Sequence, residues 1–215
     1  MEGSSWSPPR LGPELSSASC SSGASEQLKK DWAGQKQTVT ISSLSEPRTF
    51  KAKELWEKNG AVIMAVRRPG CFLCRAEAAD LMSLKPKLDE LGVPLYAVVK
   101  EQVKREVEDF QPYFKGEIFL DEKKKFYGPE RRKMMFMGLI RLGVWYNSFR
   151  AWNGGFSGNL EGEGFILGGV FVIGSGKQGI LLEHREKEFG DRVNPLSVLE
   201  AVKKIKLQTP ASGRS

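Results

Sequence analysis

Two cysteines two residues apart, in Arg67-Arg68-Pro69-Gly70-Cys71-Phe72-Leu73-Cys74, are the residues of this chain best suited to chemistry. Thiols at that spacing can close a small disulfide ring across the first turn of a helix. The thiolate is the reactive form, and unpaired backbone N–H groups at a helix N-terminus favour it. Arg67, Arg68 and Arg75 add positive charge nearby, and Glu77 opposes them. Thiols in such settings titrate between about 3.5 and 7.5, against about 8.5 for a free cysteine. Two plainer readings compete with redox use of Cys71 and Cys74. Cysteine is often simply a buried residue. The pair would also make half of a zinc site, but zinc wants about four ligands. Cys20 and His184 are the remaining soft ligands, and there is no second Cys-x-x-Cys. The pair is therefore read as a working dithiol, with no metal and no resident cofactor.

The elements that must position the pair are legible around it. Ala61 to Val66 is nearly all apolar, as in a central strand buried on both faces. Cys71, Cys74, Ala78, Leu81, Leu84, Leu88 and Leu91 then recur at three- and four-residue steps, which predicts one helix with a single buried stripe. Pro86 lies inside that helix and predicts a kink, and Gly92 with Pro94 ends it. Leu95 to Val99 reads as a second strand, Glu101 to Phe110 as a helix and Glu117 to Asp121 as a third strand. That alternation predicts a layered α/β domain with right-handed crossovers.

The rest of the chain frames this core. Its 215 residues are 40% hydrophobic, enough for one ordinary domain with a sizeable core and a tail. Three cysteines are too few for a disulfide-stapled secreted scaffold. No apolar signal region and no run of about 18 apolar residues is present, so the expectation is a cytoplasmic protein without a transmembrane segment. The net charge of +7 sits in clusters such as Lys123-Lys124-Lys125, Arg131-Arg132-Lys133 and Lys203-Lys204. These lack interleaved aromatics and read as a solvated face, with no nucleic-acid partner. Residues 1–37 read as a disordered Ser/Gly/Pro-rich tail holding Cys20, residues 38–208 as the folded domain and 209–215 as a flexible end. Thr38 to Ile41 predicts a strand or an ordered lead-in, and Thr49 to Lys58 a helix.

Met134 to Phe149 is rich in Met, Leu and aromatics; it reads as a helix packed over the sheet, with a lipid-surface or adaptable binding wall as the alternative. Gly162 to Gly169 reads as a flexible loop. Val170 to Ile173 and Ile180 to His184 read as two strands of a hairpin. Their joint Gly174-Ser175-Gly176-Lys177-Gln178-Gly179 matches G-x-G-x-x-G but opens no helix, so it is a turn and not a nucleotide loop. Asn194 caps a final helix with Pro195 at its first position. His184, the only histidine, reads as the end of a surface strand, the alternative being a general base for Cys74.

A strand, a Cys-x-x-Cys helix, strand, helix, strand, then a hairpin and a closing helix is the order of a thioredoxin-like fold, with a central mixed sheet flanked by helices. From Glu46 to about Lys206 the wording resembles the peroxiredoxin-like 2 family, which is related to the AhpC/TSA antioxidant group. The stretches that carry the resemblance include EPRTFKAKELWEKNGAVIMAVRRPGCFLCR, LGVPLYAVVKE, FKGEIFLDEKKKFYGP, RLGVWYN and GNLEGEGFILGGVFVIGSGKQGILLEHREKEFGD. The resemblance implies a redox-regulatory antioxidant that reduces peroxides or oxidised thiols and dampens inflammatory-type signalling. Cys71 and Cys74 would be its catalytic pair. A dithiol reductant, from the thioredoxin or glutathione system, would be its partner. A related branch resembles prostaglandin F synthases, which implies reduction of lipid endoperoxides as an alternative; a non-catalytic signalling protein on the same fold is another. The resemblance also admits secretion, since such proteins can begin with an apolar segment. Peroxiredoxins commonly place a threonine three residues before the attacking cysteine. Cys71 stands there, which would give the peroxide role to Cys74, whereas thioredoxins attack with the first cysteine, here Cys71. Gly168-Gly169 stands where thioredoxins carry a cis-proline.

Deleting residues 1–37 is expected to leave both the melting temperature and the alkylation rates of Cys71 and Cys74 unchanged, because so polar a segment cannot offset an ordering cost of about 1–2 kcal/mol per residue. Protection of its amides from hydrogen exchange would contradict this.

Overall fold

A computed structural model describes residues 40–44, 48–102, 105–128 and 165–205, together with isolated positions at Tyr146, Phe149, Asn153 and Gly155. The 1–37 segment, Cys20 and the 209–215 end lie outside the described residues, as does Met134 to Phe149 apart from Tyr146 and Phe149. In chain order the strands are β1 (Thr40–Ser43), β2 (Thr49–Lys51), β3 (Ala61–Val66), β4 (Leu95–Val99), β5 (Ile118–Leu120), β6 (Gly169–Ile173) and β7 (Ile180–Arg185). The α-helices are α1 (Phe72–Met82), α2 (Lys85–Glu90), α3 (Glu106–Phe110) and α4 (Pro195–Val202), with 3₁₀ turns at Ala52–Leu55 and Lys125–Tyr127. Among the described residues the strands form one mixed sheet in the order β2-β1-β5-β4-β3-β6-β7. β3 pairs parallel with β4 and antiparallel with β6, so the strand leading to the cysteines lies inside the sheet.

The apolar run of β3 is explained by its position. Val62, Met64 and Val66 enter the core shared with α1, α2 and α4. Ala61, Ile63 and Ala65 enter a second core on the opposite face, with Trp56, Phe126 and Phe171. A strand covered on both faces has no use for polar alternation. The hairpin of β6 and β7 is closed by Gly174 N–H donating to the Gly179 carbonyl at 2.8 Å. Asn194 caps α4, its Oδ1 accepting from Leu196 N–H at 2.9 Å, with Pro195 in the first turn.

Three sequence expectations need correction. Thr49 to Lys58 is not helical: Phe50 sits opposite Ile41 on β2 and packs edge-on against Phe119 at 5.3 Å, so pairing overrides the local pattern. Ala52–Leu55 forms a 3₁₀ turn, with Glu54 accepting from Lys51 N–H at 3.1 Å, and hydrogen-bonded turns continue to Gly60. The long helix from Cys71 to Leu91 is two helices that break at Ser83 and Leu84. Pro86 falls in the first turn of α2, where its missing donor costs nothing. Finally, the Gly162 to Gly169 loop, where it is described, is packed into the core and ends in a strand. Ile166 and Leu167 are buried, and Gly169 already belongs to β6.

Gly168 shows why this position must be glycine. A Cβ there would lie 2.2 Å from the Ala65 carbonyl oxygen of β3. Gly168→Ala is expected to destabilise the fold by about 1–3 kcal/mol or more, as overpacking against backbone does. Chemical denaturation measures this, and a change below about 0.5 kcal/mol would show that β3 and the 166–168 segment yield freely.

Candidate active site

The cysteines stand where the buried strand β3 gives way to α1. Pro69 and Gly70 turn the chain, and Cys71 takes the N-cap position with extended backbone (φ −81°, ψ 127°). Its carbonyl accepts from Arg75 N–H at 3.0 Å, which begins the helix. Cys74 lies in the first turn. Charged side chains from three elements fix the connecting loop. Lys100 Nζ, just past β4, donates to the Arg67 carbonyl at 2.7 Å and to the Ile166 carbonyl at 3.3 Å. Glu106 of α3 accepts from Gly70 N–H at 3.3 Å. Arg75 Nε donates to the Pro69 carbonyl at 3.2 Å, and its guanidinium lies over the Tyr113 ring. Tyr127 hydroxyl, within reach of the Val66 carbonyl at 2.8 Å and the Val98 carbonyl at 3.0 Å, ties the ends of β3 and β4 together.

Both thiols are free and buried, Cys71 being 3% and Cys74 2% exposed. Arg67 Nη2 donates to Cys71 Sγ at 2.7 Å. The Cys71 thiol is held well below its ordinary range. The largest cause is a hydrogen bond from the Cys74 thiol, opposed by burial and assisted by the Arg67 charge and the Cys74 and Leu73 backbone N–H groups. Cys74 is pushed the opposite way, well above its ordinary range, first by donating to Cys71 and then by burial. Both the Arg67 contact and the sulfur–sulfur hydrogen bond thus favour ionisation at Cys71 over Cys74.

Behind the sulfurs lies a layer of acids. Glu186, the residue after β7, accepts from Gly168 N–H at 2.8 Å and stands 3.8 Å from Arg67 Nε. Phe189 carries the Arg67 guanidinium on its ring face, 4.4 Å from the centroid. Glu77, one helical turn past Cys74, is buried and accepts from Val193 N–H at 3.3 Å. Burial, then the charge of Glu186, pushes the Glu77 carboxyl up to about 8. Glu186 is raised as well, chiefly by burial, with Arg67 pulling it down. Asp80 and Arg192, paired at 2.5 Å, close the α1 face of this layer.

The structure brings Cys71 and Cys74 together as the sequence predicts. It gives their neighbours different roles. Of the three arginines, Arg67 reaches a sulfur, while Arg75 braces the loop and Arg68 is buried. α1 is not a one-sided stripe, because Arg75 and Glu77 are buried too. Arg75 faces Tyr113, and Glu77 faces the Val193 backbone. His184 lies on β7, where its Nε2 is 3.0 Å from the Asp191 carbonyl oxygen, so its ring is engaged away from the thiols. Sequence reasoning missed Lys100, Glu106, Glu186 and Phe189. All four stand at or beyond element ends, in charged local contexts that look solvent-facing. Among the described residues no group of three or more His, Cys, Asp and Glu could hold a metal ion, and no helix is long and apolar enough to cross a membrane.

A mixed sheet with a dithiol at the N-terminus of its first α-helix defines a thioredoxin-like fold. The solved structure of Xanthomonas campestris Peroxiredoxin Q, as a cysteine-to-serine variant, has the same fold: TM-score 0.53 at 14% identity, covering 79% of this chain and 93% of that one. A family model described as AhpC/TSA antioxidant enzyme matches residues 80–188, starting within α1 just after both cysteines. The chain is 94% identical over 170 residues to Peroxiredoxin-like 2A of Rattus norvegicus, across 79% of this chain and 74% of that protein. It is 35% identical over 155 residues to Prostamide/prostaglandin F synthase of Sus scrofa, across 70% and 77% respectively. The chain belongs to the AhpC/TSA antioxidant-enzyme family and, within it, to the A branch of the peroxiredoxin-like 2 group.

The raised Glu77 has a consequence for stability. Its folded-state value of about 8 exceeds the ordinary 4.5, so the folded protein holds a proton that the unfolded chain releases between those values. The contribution is complete below 4.5 and is lost as pH rises through 8. Stability should therefore fall across this window, by at most about 1.4 kcal/mol per pH unit. Glu77→Gln, which copies the neutral form and still accepts from Val193, is expected to flatten the dependence and to be the more stable protein at pH 8. Parallel melting curves at pH 5 and pH 8 check it; equal slopes in both proteins would contradict it.

Proposed function

We propose that this chain is a redox-regulatory thiol antioxidant in which Cys71 attacks and Cys74 resolves. The observation that carries the reading is the Arg67 guanidinium donating to Cys71 Sγ at 2.7 Å at a helix N-cap. A cation and a helix start both favour the thiolate there. Against a disulfide, Cys71 thiolate forms a mixed disulfide and expels one thiolate; Cys74, after losing its proton, attacks Cys71 Sγ and expels the other. Against a peroxide, the Cys71 thiolate takes one oxygen as the O–O bond breaks, leaving a sulfenic acid, and the departing alkoxide (hydroxide from hydrogen peroxide) takes a proton from solvent. Cys74 then attacks the sulfenic sulfur, and water departs with the Cys74 proton. Either way the product is a Cys71–Cys74 disulfide, and a cellular dithiol of the thioredoxin or glutathione type returns two electrons. Consumption of peroxide or oxidised thiols by this cycle would dampen redox-dependent signalling in the cytoplasm.

A second reading keeps the dithiol and changes the substrate. The relative named Prostamide/prostaglandin F synthase supports a lipid endoperoxide as the oxidant to be reduced. Turnover of hydrogen peroxide, a protein disulfide and an endoperoxide by one preparation separates the two.

The order of attack is tested with single variants and a small disulfide probe. Cys74→Ser is expected to accumulate a stable mixed disulfide on Cys71, seen as a mass adduct. Cys71→Ser is expected to react at least about tenfold more slowly at pH 7, since each unit by which a thiol titrates above ambient pH costs about tenfold in thiolate. Adduct formation on Cys74 at the faster rate would reverse the roles. Regulatory activity that survives in the Cys71→Ser, Cys74→Ser double variant would make the protein a binding module instead.

A further inference from the structure

We propose that Glu186 is a positioning residue for this chemistry: from the end of β7 it fixes the Arg67 fork, so that one nitrogen is presented to Cys71 Sγ. The proposal rests on the reading of Cys71 as the attacking thiolate and adds how its activating cation is held in place.

The guanidinium is gripped on three sides. Nη2 meets the sulfur at 2.7 Å, Nε faces the Glu186 carboxylate at 3.8 Å, and the plane lies 4.4 Å from the Phe189 centroid. Glu186 is itself immobilised. Its Oε2 accepts from Gly168 N–H at 2.8 Å, and its own backbone N–H donates to the Gly168 carbonyl at 3.2 Å. Gly168 can serve because its bare Cα sits against Ala65 of β3, where any side chain would strike the backbone. The backbone of Arg67 is held separately by Lys100. A free arginine side chain has many rotamers to lose, and a fork anchored at its base and on one face gives up few of them when it meets the thiolate. Glu186 and Phe189 lie on one short segment, so the end of β7 acts as a unit on the dithiol loop. The segment meets the guanidinium, through the Glu186 carboxyl group and the Phe189 ring, and acts on the sulfur through it, which is positioning rather than catalysis.

The ionisable groups in this cluster are Cys71, Cys74, Arg67, Glu186, Glu77 and Tyr127, with Asp191 and Arg192 at its edge. A charge role and a positioning role for Glu186 predict opposite signs. If Glu186 acted only as a nearby anion, removing its charge would make the Cys71 thiolate easier to form. If it holds Arg67 on the sulfur, removing it makes the thiolate harder to form.

The experiment is the pH profile of Cys71 alkylation by iodoacetamide in full-length Cys74→Ser protein, alone and with Glu186→Gln, Glu186→Asp or Phe189→Leu. The expected result is an upward shift of the midpoint by about one pH unit with Glu186→Gln, a tenfold loss of thiolate on the acid side. Glu186→Asp, which keeps the charge but loses reach, should shift it in the same direction. Phe189→Leu alters no charge and should also raise the midpoint, and it carries the test if the Glu186 variants do not fold. A downward or absent shift with Glu186→Gln, or with Phe189→Leu where that variant stands alone, overturns the positioning role. A parent midpoint at or above that of a free cysteine overturns the Cys71 reading and this proposal together; a low parent midpoint with unmoved variants overturns this proposal only.

Discussion

A buried cation on a buried sulfur is the constraint around which this molecule is built. Arg67 is 4% exposed, and a charge so far from water is tolerated only with partners. Burial works against the charge, but Cys74, Cys71 and Glu186 outweigh it and hold the guanidinium firmly protonated. That requirement reaches across the fold. The cation comes from the end of β3, one anion from α1 and the other from the end of β7, while the stacking ring follows in the next turn of chain. β3 and α1 follow one another in the chain, but β7 comes far later, so the site is complete only once the sheet has assembled in its observed order.

The sheet meets this demand through its centre. β3 is flanked by β4 and β6, and both of its faces are covered by apolar clusters, so the strand that carries Arg67 has little freedom. The loop beyond it would be the soft part, and it is braced by Lys100, Glu106 and Arg75. Each brace uses a backbone group of Arg67, Pro69 or Gly70. The backbone polar groups of a buried loop must be paired somewhere, and here charged side chains from separate elements do it.

What could be read from the sequence follows from range. The Cys-x-x-Cys, the apolar β3, the hairpin and the Asn194 cap are local patterns, and the structure has them where the residues place them. The α/β order follows from the same local patterns. Thr49 to Lys58 misled because the pairing of Phe50 with Ile41 and its contact with Phe119 lie outside any local window. Glu77 and Arg75 misled for the related reason that charge usually marks solvent. Their burial is visible only from the Val193 backbone and from Tyr113. Glu186, among Arg185, Lys187 and Glu188, reads as one more surface charge until β7 is placed beside β6 and the Gly168 amide.

The acid layer also bears on the two redox states of the proposed cycle. In the reduced protein of that cycle Arg67 faces two acidic groups, Cys71 Sγ and the Glu186 carboxyl group. Closing a Cys71–Cys74 disulfide removes the first, and Glu186 is left as the partner that keeps a buried guanidinium from standing alone. Burial raises the proton affinity of Glu186 and Arg67 lowers it, so loss of the competing thiolate strengthens the hold of Arg67 on the carboxylate. Glu77 is coupled to that change, because the charge of Glu186 is part of what keeps it protonated. The dithiol, the arginine and the two acids therefore form one buried electrostatic set. A residue at the end of β7, remote in sequence from either cysteine, is part of the electrostatics that decide how easily the thiolate forms.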